Sequence, residues 1–209
     1  MEKLNRRISI AWFTVLLLTL GGLARATMID PSNPLDLVRK TTEQVLDRIA
    51  QQRSELNTNP GRVYELVNEL VLPRFDFEYM SQLVLGKYWA RASVEQRSQF
   101  VIAFRELLVR TYATTLLNYA DQTIEFLPLR VVDGATDVTV STRVVGGGAP
   151  PIPIDYSLAL KNGEWRVYDV VIDNISLVSQ YRRSYAMHIK RYQMEGLIEQ
   201  MNKLNERNR

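Results

Sequence analysis

Apolar residues along this chain change their spacing twice. From residue 34 to about residue 119 they recur at helical intervals; from about 124 to 172 they alternate; after residue 176 the helical interval returns. Leu35, Val38, Val45, Leu46 and Ile49 mark a first amphipathic helix, with Pro34 at its start and Asn33 as cap. Asn57-Thr58-Asn59-Pro60-Gly61 breaks it. A second helix is expected from about Arg62, with Val63, Val67, Leu70 and Val71 as its apolar side and Pro73 as its end. A short helix over 76–85 should stop at Gly86. Ser93 followed by Gln96 is a capping-box signature. The helix it opens should run to about Tyr119 on a face that includes Phe100, Phe104, Leu107, Leu108, Tyr112 and Leu116.

The middle region reads as strands. Val138, Val140 and Val144 alternate with Thr139, Ser141 and Arg143, and Ile152, Ile154, Tyr156, Leu158 and Leu160 alternate with their neighbours in the same way. Asn162-Gly163 is a two-residue hairpin signal leading into a strand over 164–172. That strand is apolar on both faces, with Trp165, Val167 and Val171 on one and Tyr168, Val170 and Ile172 on the other. Residues 124–129 supply a first strand. The last helix should start near Ser176 and continue toward Asn205. The fold class is therefore α+β: a four-stranded antiparallel sheet packed with N-terminal helices and a long C-terminal helix, in one domain over 27–209.

The first 26 residues follow different rules. Lys3, Arg6 and Arg7 precede an apolar run over 8–20, and Ala24-Arg25-Ala26 supplies small residues where a signal peptidase cuts. The run is shorter than the roughly 20 residues that span a bilayer. The expectation is export and cleavage after Ala26. Removal changes the charge. The full chain has 26 Lys+Arg and 23 Asp+Glu. The segment takes four bases and one acid, leaving 22 of each. The basic pI belongs to the export segment, so a nucleic-acid partner loses its main support. With no cysteine, stability must come from the core alone.

Candidate chemistry is sparse. One histidine, His188, and no cysteine leave little for a metal or a His-based catalyst. Gly146-Gly147-Gly148 lies between strands and is a turn rather than a phosphate loop. Asp169 and Asp173, four apart on a strand, are roughly 13 Å from each other, too far to share a proton. No enzyme and no cofactor are expected. What is plentiful is apolar and aromatic surface. It fits either an ordinary core or a cavity between sheet and helices for an apolar ligand.

Several segments, in order, resemble the MlaC family of periplasmic phospholipid-binding proteins, also called toluene-tolerance auxiliary proteins. They are Pro73-Arg74-Phe75-Asp76-Phe77, Leu85-Gly86-Lys87-Tyr88-Trp89-Ala90-Arg91-Ala92-Ser93 with Phe100 and Phe104, and Trp165-Arg166-Val167-Tyr168-Asp169-Val170-Val171-Ile172 leading to Tyr181-Arg182 and Gly196-Leu197-Ile198. The resemblance implies a cystatin-like or nuclear-transport-factor-like roll enclosing an apolar cavity. It implies a monomeric periplasmic carrier that shuttles phospholipid between outer and inner membranes and maintains outer-membrane lipid asymmetry. The implied partners are an outer-membrane lipoprotein–porin complex and an inner-membrane ABC transporter with a substrate-binding ring. A binding protein for another apolar molecule and a ligand-free envelope adaptor are the alternatives.

A carrier needs a dry wall. The candidates are the strand residues Val138, Val140, Ile154, Tyr156, Leu158, Val167 and Val171, facing Phe75, Met80, Tyr88, Phe104, Leu108 and Tyr112 from the helices. Arg143, Arg166 and Arg182 are candidates for meeting a headgroup phosphate at the mouth.

Overall fold

The computed structural model describes residues 32–119, 122–146, 148 and 150–207. The export segment and its cleavage site lie outside the described residues. Helix α1 (Pro34–Thr58) opens as its sequence requires: Pro34 takes the first turn, and the Asn33 side chain accepts the Asp36 N–H at 3.0 Å. The same device recurs at α2 (Pro60–Leu66), where Asn59 accepts the Gly61 N–H at 3.1 Å. That cap starts the helix at Pro60 rather than at Arg62. A π-helical turn (Val67–Val71) and a 3-10 turn (Leu72–Arg74) then carry the chain to Phe75.

Asp76 caps α3 (Phe77–Leu85) by accepting the Tyr79 N–H at 3.0 Å. After Gly86 comes α4 (Lys87–Arg91), too short to leave a periodic pattern. Helix α5 (Val94–Tyr112) has the reciprocal box. The Ser93 N–H donates to Gln96 Oε1 at 2.9 Å, and the Gln96 N–H donates to Ser93 Oγ at 3.1 Å. Past Tyr112 the helix tightens to 3-10 over Ala113–Tyr119, where one continuous helix was expected.

The sheet is a meander of β1 (Thr123–Phe126), β2 (Asp137–Val145), β3 (Ile152–Lys161), β4 (Glu164–Ile172) and β5 (Ile175–Ser176), paired antiparallel in that order. The fifth strand is a correction. It follows Asp173 and Asn174, both at positive φ, and its two residues are too few to display alternation. The β3–β4 turn is Asn162 at φ 53° and Gly163 at φ 82°, the doubly left-handed backbone of a type I′ hairpin.

Strand β4 carries a bulge. The register steps from Ser157↔Asp169 to Leu158↔Val167 and leaves Tyr168 without a partner. One extra residue reverses the side-chain parity beyond it. Val170 and Ile172 therefore share a face with Trp165 and Val167, opposite Tyr156 and Ile154. Val171, expected on that inner face, pairs with Asp155 on the other.

Helix α6 (Leu177–Arg207) is tied to β4 by Asp169. This carboxylate accepts the Val178 N–H at 3.0 Å and the Ser176 hydroxyl, while Ser176 Oγ accepts the Ser179 N–H at 3.0 Å. The helix breaks at Gln193, whose φ of 62° and ψ of −175° belong to a region normally reserved for glycine. Gly196 faces that break. A Cβ there would lie 2.7 Å from the Tyr192 Cβ.

Three apolar clusters result. Helices α3, α5 and α6 pack around Phe100, Phe104, Met80, Leu197 and Met201. The later turns of α1 pack on α2 and the end of α5 through Val45, Ile49, Leu56 and Val63. The first turns of α1 pack on the sheet, Leu37 and Val38 meeting Val138, Val140, Leu158 and Trp165. The Trp165 Nε1–H also donates to the Ser32 carbonyl at 3.1 Å, fixing where α1 begins on the sheet.

Candidate functional site

Helix α1 meets the sheet with its first turns and other helices with its later ones. Between those two contacts the inner face of the sheet is left without a close partner. The gap is a cavity of about 310 Å³, within the range of small-molecule sites. The sheet contributes Ile124, Thr142, Val144, Ile154, Tyr156, Val167, Val170 and Ile172. Helix α1 contributes residues from Leu37 to Ile49. Val67, Val71, Leu72, Arg74, Phe75, Phe77 and Met80 form another wall, and Leu108, Val109, Tyr112 and Leu116 close it from α5 and beyond.

The wall is apolar by chemistry as well as by residue type. Thr42 Oγ1 donates to the Val38 carbonyl at 2.8 Å, and Thr142 Oγ1 donates to the Ile154 carbonyl at 3.0 Å. Burial pushes the Tyr156 phenol up to about 12, against a smaller opposing effect of its hydrogen bond with Thr142. It stays neutral at physiological pH. Arg74 is the one charged residue among the described residues of the wall.

Seven of the thirteen wall candidates line this cavity: Phe75, Met80, Leu108, Tyr112, Ile154, Tyr156 and Val167. The other six do not. Val138, Val140 and Leu158 lie on the same sheet face, where Leu37 and Val38 already fill the space; Val140 and Leu158 are fully buried. Phe104 is inside the helical cluster, its ring 5.5 Å from Phe100 and edge-on to Tyr181 at 5.2 Å. Tyr88 packs against that same cluster. Val171 is turned to the other face by the bulge.

The three arginine candidates also lie off the wall. Arg143 is exposed on β2, between the inward Thr142 and Val144. Arg182 lies against Gly86, whose added Cβ would come within 3.0 Å of its guanidinium. Arg166 donates to the Pro73 carbonyl and pairs with Glu164. Residues that pattern reading omitted include the whole α1 wall from Leu37 to Ile49, Val170 and Ile172, hidden by the bulge, Thr142 and Val144, on a strand assigned to the correct face, and Arg74. The Pro73–Phe77 segment already contained Arg74, with nothing in its spacing to turn it inward.

A second, more polar recess adjoins the Phe75 turn, lined by Asp76, Lys161, Asn162, Glu164 and Arg166 together with Phe75 and Phe77. Burial pushes the Asp76 carboxyl up. The Lys161 hydrogen bond at 2.7 Å, the Tyr79 N–H and nearby positive charge outweigh burial and hold it below the ordinary carboxylate range. Among the described residues, no three His, Cys, Asp or Glu groups are placed to hold a metal, and no helix is long and apolar enough to cross a membrane.

Comparison with known proteins follows the same lines. The family model described as "MlaC protein" matches residues 39–203. The Intermembrane phospholipid transport system binding protein MlaC of Haemophilus influenzae is 27% identical over 194 residues, 91% of each chain. The Toluene tolerance protein ttg2D of Pseudomonas putida is 28% identical over 159 residues, 76% of this chain and 74% of that one. A solved structure of a phospholipid-binding protein from Ralstonia solanacearum, in complex with a phospholipid, superposes with a TM-score of 0.76 at 32% identity. It covers 82% of this chain and 96% of that one.

Proposed function

The chain belongs to the MlaC family, and from that premise we propose that it is a periplasmic phospholipid carrier holding acyl chains in the cavity between sheet and helices. The observation that carries the reading is the half-filled inner face of the sheet. A folded chain of this size has enough apolar residues to close that face, as it does at Val140 and Leu158. Between α1 and α5 it leaves about 310 Å³ open instead.

The energetics suit the task. Each buried CH₂ is worth about 0.8 kcal/mol, so each acyl chain gains on the order of 10 kcal/mol by leaving water. Contacts of that kind are non-directional. Phe75, Met80, Leu108, Tyr112, Ile154, Tyr156 and Val167 would therefore hold chains of differing length without reading them closely. Carriage makes and breaks no covalent bond, and the reading gives no residue a catalytic role.

The carrier works after the first 26 residues are removed. It exchanges lipid with an outer-membrane lipoprotein–porin complex on one side and an inner-membrane ABC transporter with its substrate-binding ring on the other. Native mass spectrometry of the mature protein from a Gram-negative host tests the cargo. A glycerophospholipid mass on the folded protein is expected. Protein that carries none, and takes none from phospholipid vesicles, would overturn the carrier reading.

A further inference from the structure

Basic and acidic residues are equal in number after residue 26, so no net charge draws the mature chain to a partner. Only an uneven distribution can. Several bases on the helices are matched by acids: Arg62 lies between Glu55 and Glu65, Arg110 pairs with Glu106, and Lys203 pairs with Glu199. The corner where α4 meets α6 is different. Lys87, Arg91, Arg97 and Arg182 make no ion pair with any described residue.

Contacts bring these four together on a helix about 7.5 Å long. Lys87 and Arg91, both exposed, lie one turn apart on α4 and share a face of it. The Arg182 guanidinium rests against Gly86, the residue before Lys87, and a Cβ there would come within 3.0 Å of it. Arg97 donates from Nε to the Trp89 carbonyl at 2.9 Å and from a terminal nitrogen to the Ala90 carbonyl at 3.3 Å. Like charges one turn apart destabilise a helix. The neighbouring carboxylates do not relieve them, since Glu95 accepts from Gln99 and Glu195 from Gln96. Arg97 also lies over the Trp89 ring, 5.3 Å from its centroid, and Lys87 over Tyr88 at 5.4 Å. Cations held in this way are oriented before a partner arrives, which lowers the cost of engaging one.

Resting on the carrier reading and its protein partners, we propose that the α4–α6 corner is a docking surface for an acidic face of a partner protein. The planar guanidinium groups of Arg91, Arg97 and Arg182 suit carboxylate oxygen pairs. An anionic membrane offers negative charge too, but holding a protein on it also takes apolar side chains that enter the lipid. Here Tyr88 and Trp89 are half-buried against the helical cluster and covered by Lys87 and Arg97. Charge suits a shuttle, because exposed charges speed association more than they delay release. Among the described residues, α4 contributes nothing to the cavity wall and α6 contributes Leu177. A partner seated at the corner therefore leaves that wall untouched.

The mature protein and its Lys87→Gln/Arg91→Gln double variant are passed over three immobilised probes. These are the substrate-binding ring of the same bacterium's transporter, its lipoprotein–porin complex in detergent, and phosphatidylglycerol vesicles. Surface plasmon resonance follows binding at low and high salt. For at least one of the two proteins, the double substitution should lower the association rate constant about tenfold at low salt. The dissociation rate and the phospholipid bound per molecule should hardly change. High salt should bring the wild type down to the rate of the variant. Lys203→Gln removes a base already paired on α6 and should bind like the wild type. Equal rates for wild type and double variant overturn the surface. So does an equal fall in Lys203→Gln, or phospholipid lost from the double variant. Wild type that binds the vesicles and neither protein overturns it in favour of a membrane contact. Wild type that binds none of the three overturns the surface together with the partner half of the carrier reading, while phospholipid in the native mass spectrum keeps the cargo half.

Discussion

Val140 and Ile154 lie on one face of one sheet, on adjacent strands, two positions apart in register. Val140 is fully buried beneath the first turns of α1, whereas Ile154 is half-buried and looks into the cavity. Nothing in the two residue types foretells the difference. It is set by α1, which Trp165 and Ser32 pin to the sheet at one end and which α2 and the end of α5 engage further along. One end of the inner face thus contributes to stability through packing. The other contributes little to stability and is available to a ligand.

The comparison breaks first at the packed end. Leu158→Ala should lower the unfolding free energy by about 2–5 kcal/mol, because the fully buried site cannot collapse around the lost atoms. Denaturant titration measures this, and lipid bound per folded molecule should stay as it was. At the open end the outcomes exchange. Ile154→Trp or Val170→Trp should cost less than the ~1–3 kcal/mol that overpacking exacts in a filled core. Either should lower phospholipid loading severalfold. Equal stability losses at both ends would erase the distinction.

A smaller effect is expected where α5 begins, far along that helix from its cavity residues Leu108 and Tyr112. Ser93→Ala removes one half of the capping box and should cost about 1 kcal/mol. A melting curve would register it, with loading unchanged. The smallest is acid dependence at the Phe75 turn. The folded-state pKa of Asp76 is depressed. Its contribution is therefore present above the ordinary carboxylate range, and is lost as pH falls below about 4 and then through the folded value. Asp76→Asn should flatten that limb of the stability–pH curve, and the limb's persistence in the variant would assign it to other carboxylates.

Much of the fold could be read from local chemistry. Asn162-Gly163 fixed the β3–β4 hairpin, Ser93 with Gln96 fixed the start of α5, and alternation placed Val138, Val140, Ile154, Tyr156 and Leu158 on one face. The candidate site was legible only in part, for physical reasons. A period-two rule carries Val167 to Val171, but the unpaired Tyr168 makes Val170 the next inward residue. Aromatic and apolar character marks Phe104 and Leu108 alike, yet one is enclosed by Phe100, Tyr181 and Tyr185 and the other reaches the cavity. Arg74 is inward because the chain after the π-helical turn is stapled to the edge of β4, a long-range fact with no local signature.

The open end of the sheet also has a mechanical consequence. To the extent that its apolar wall stays dry, the unfilled cavity is volume that is lost when the chain unfolds, and hydrostatic pressure then favours unfolding. An acyl chain seated in that space removes that volume difference and lowers the compressibility of the interior. The cargo would then act as a structural strut for its own vehicle, and the unloaded protein would be the form that pressure unfolds first.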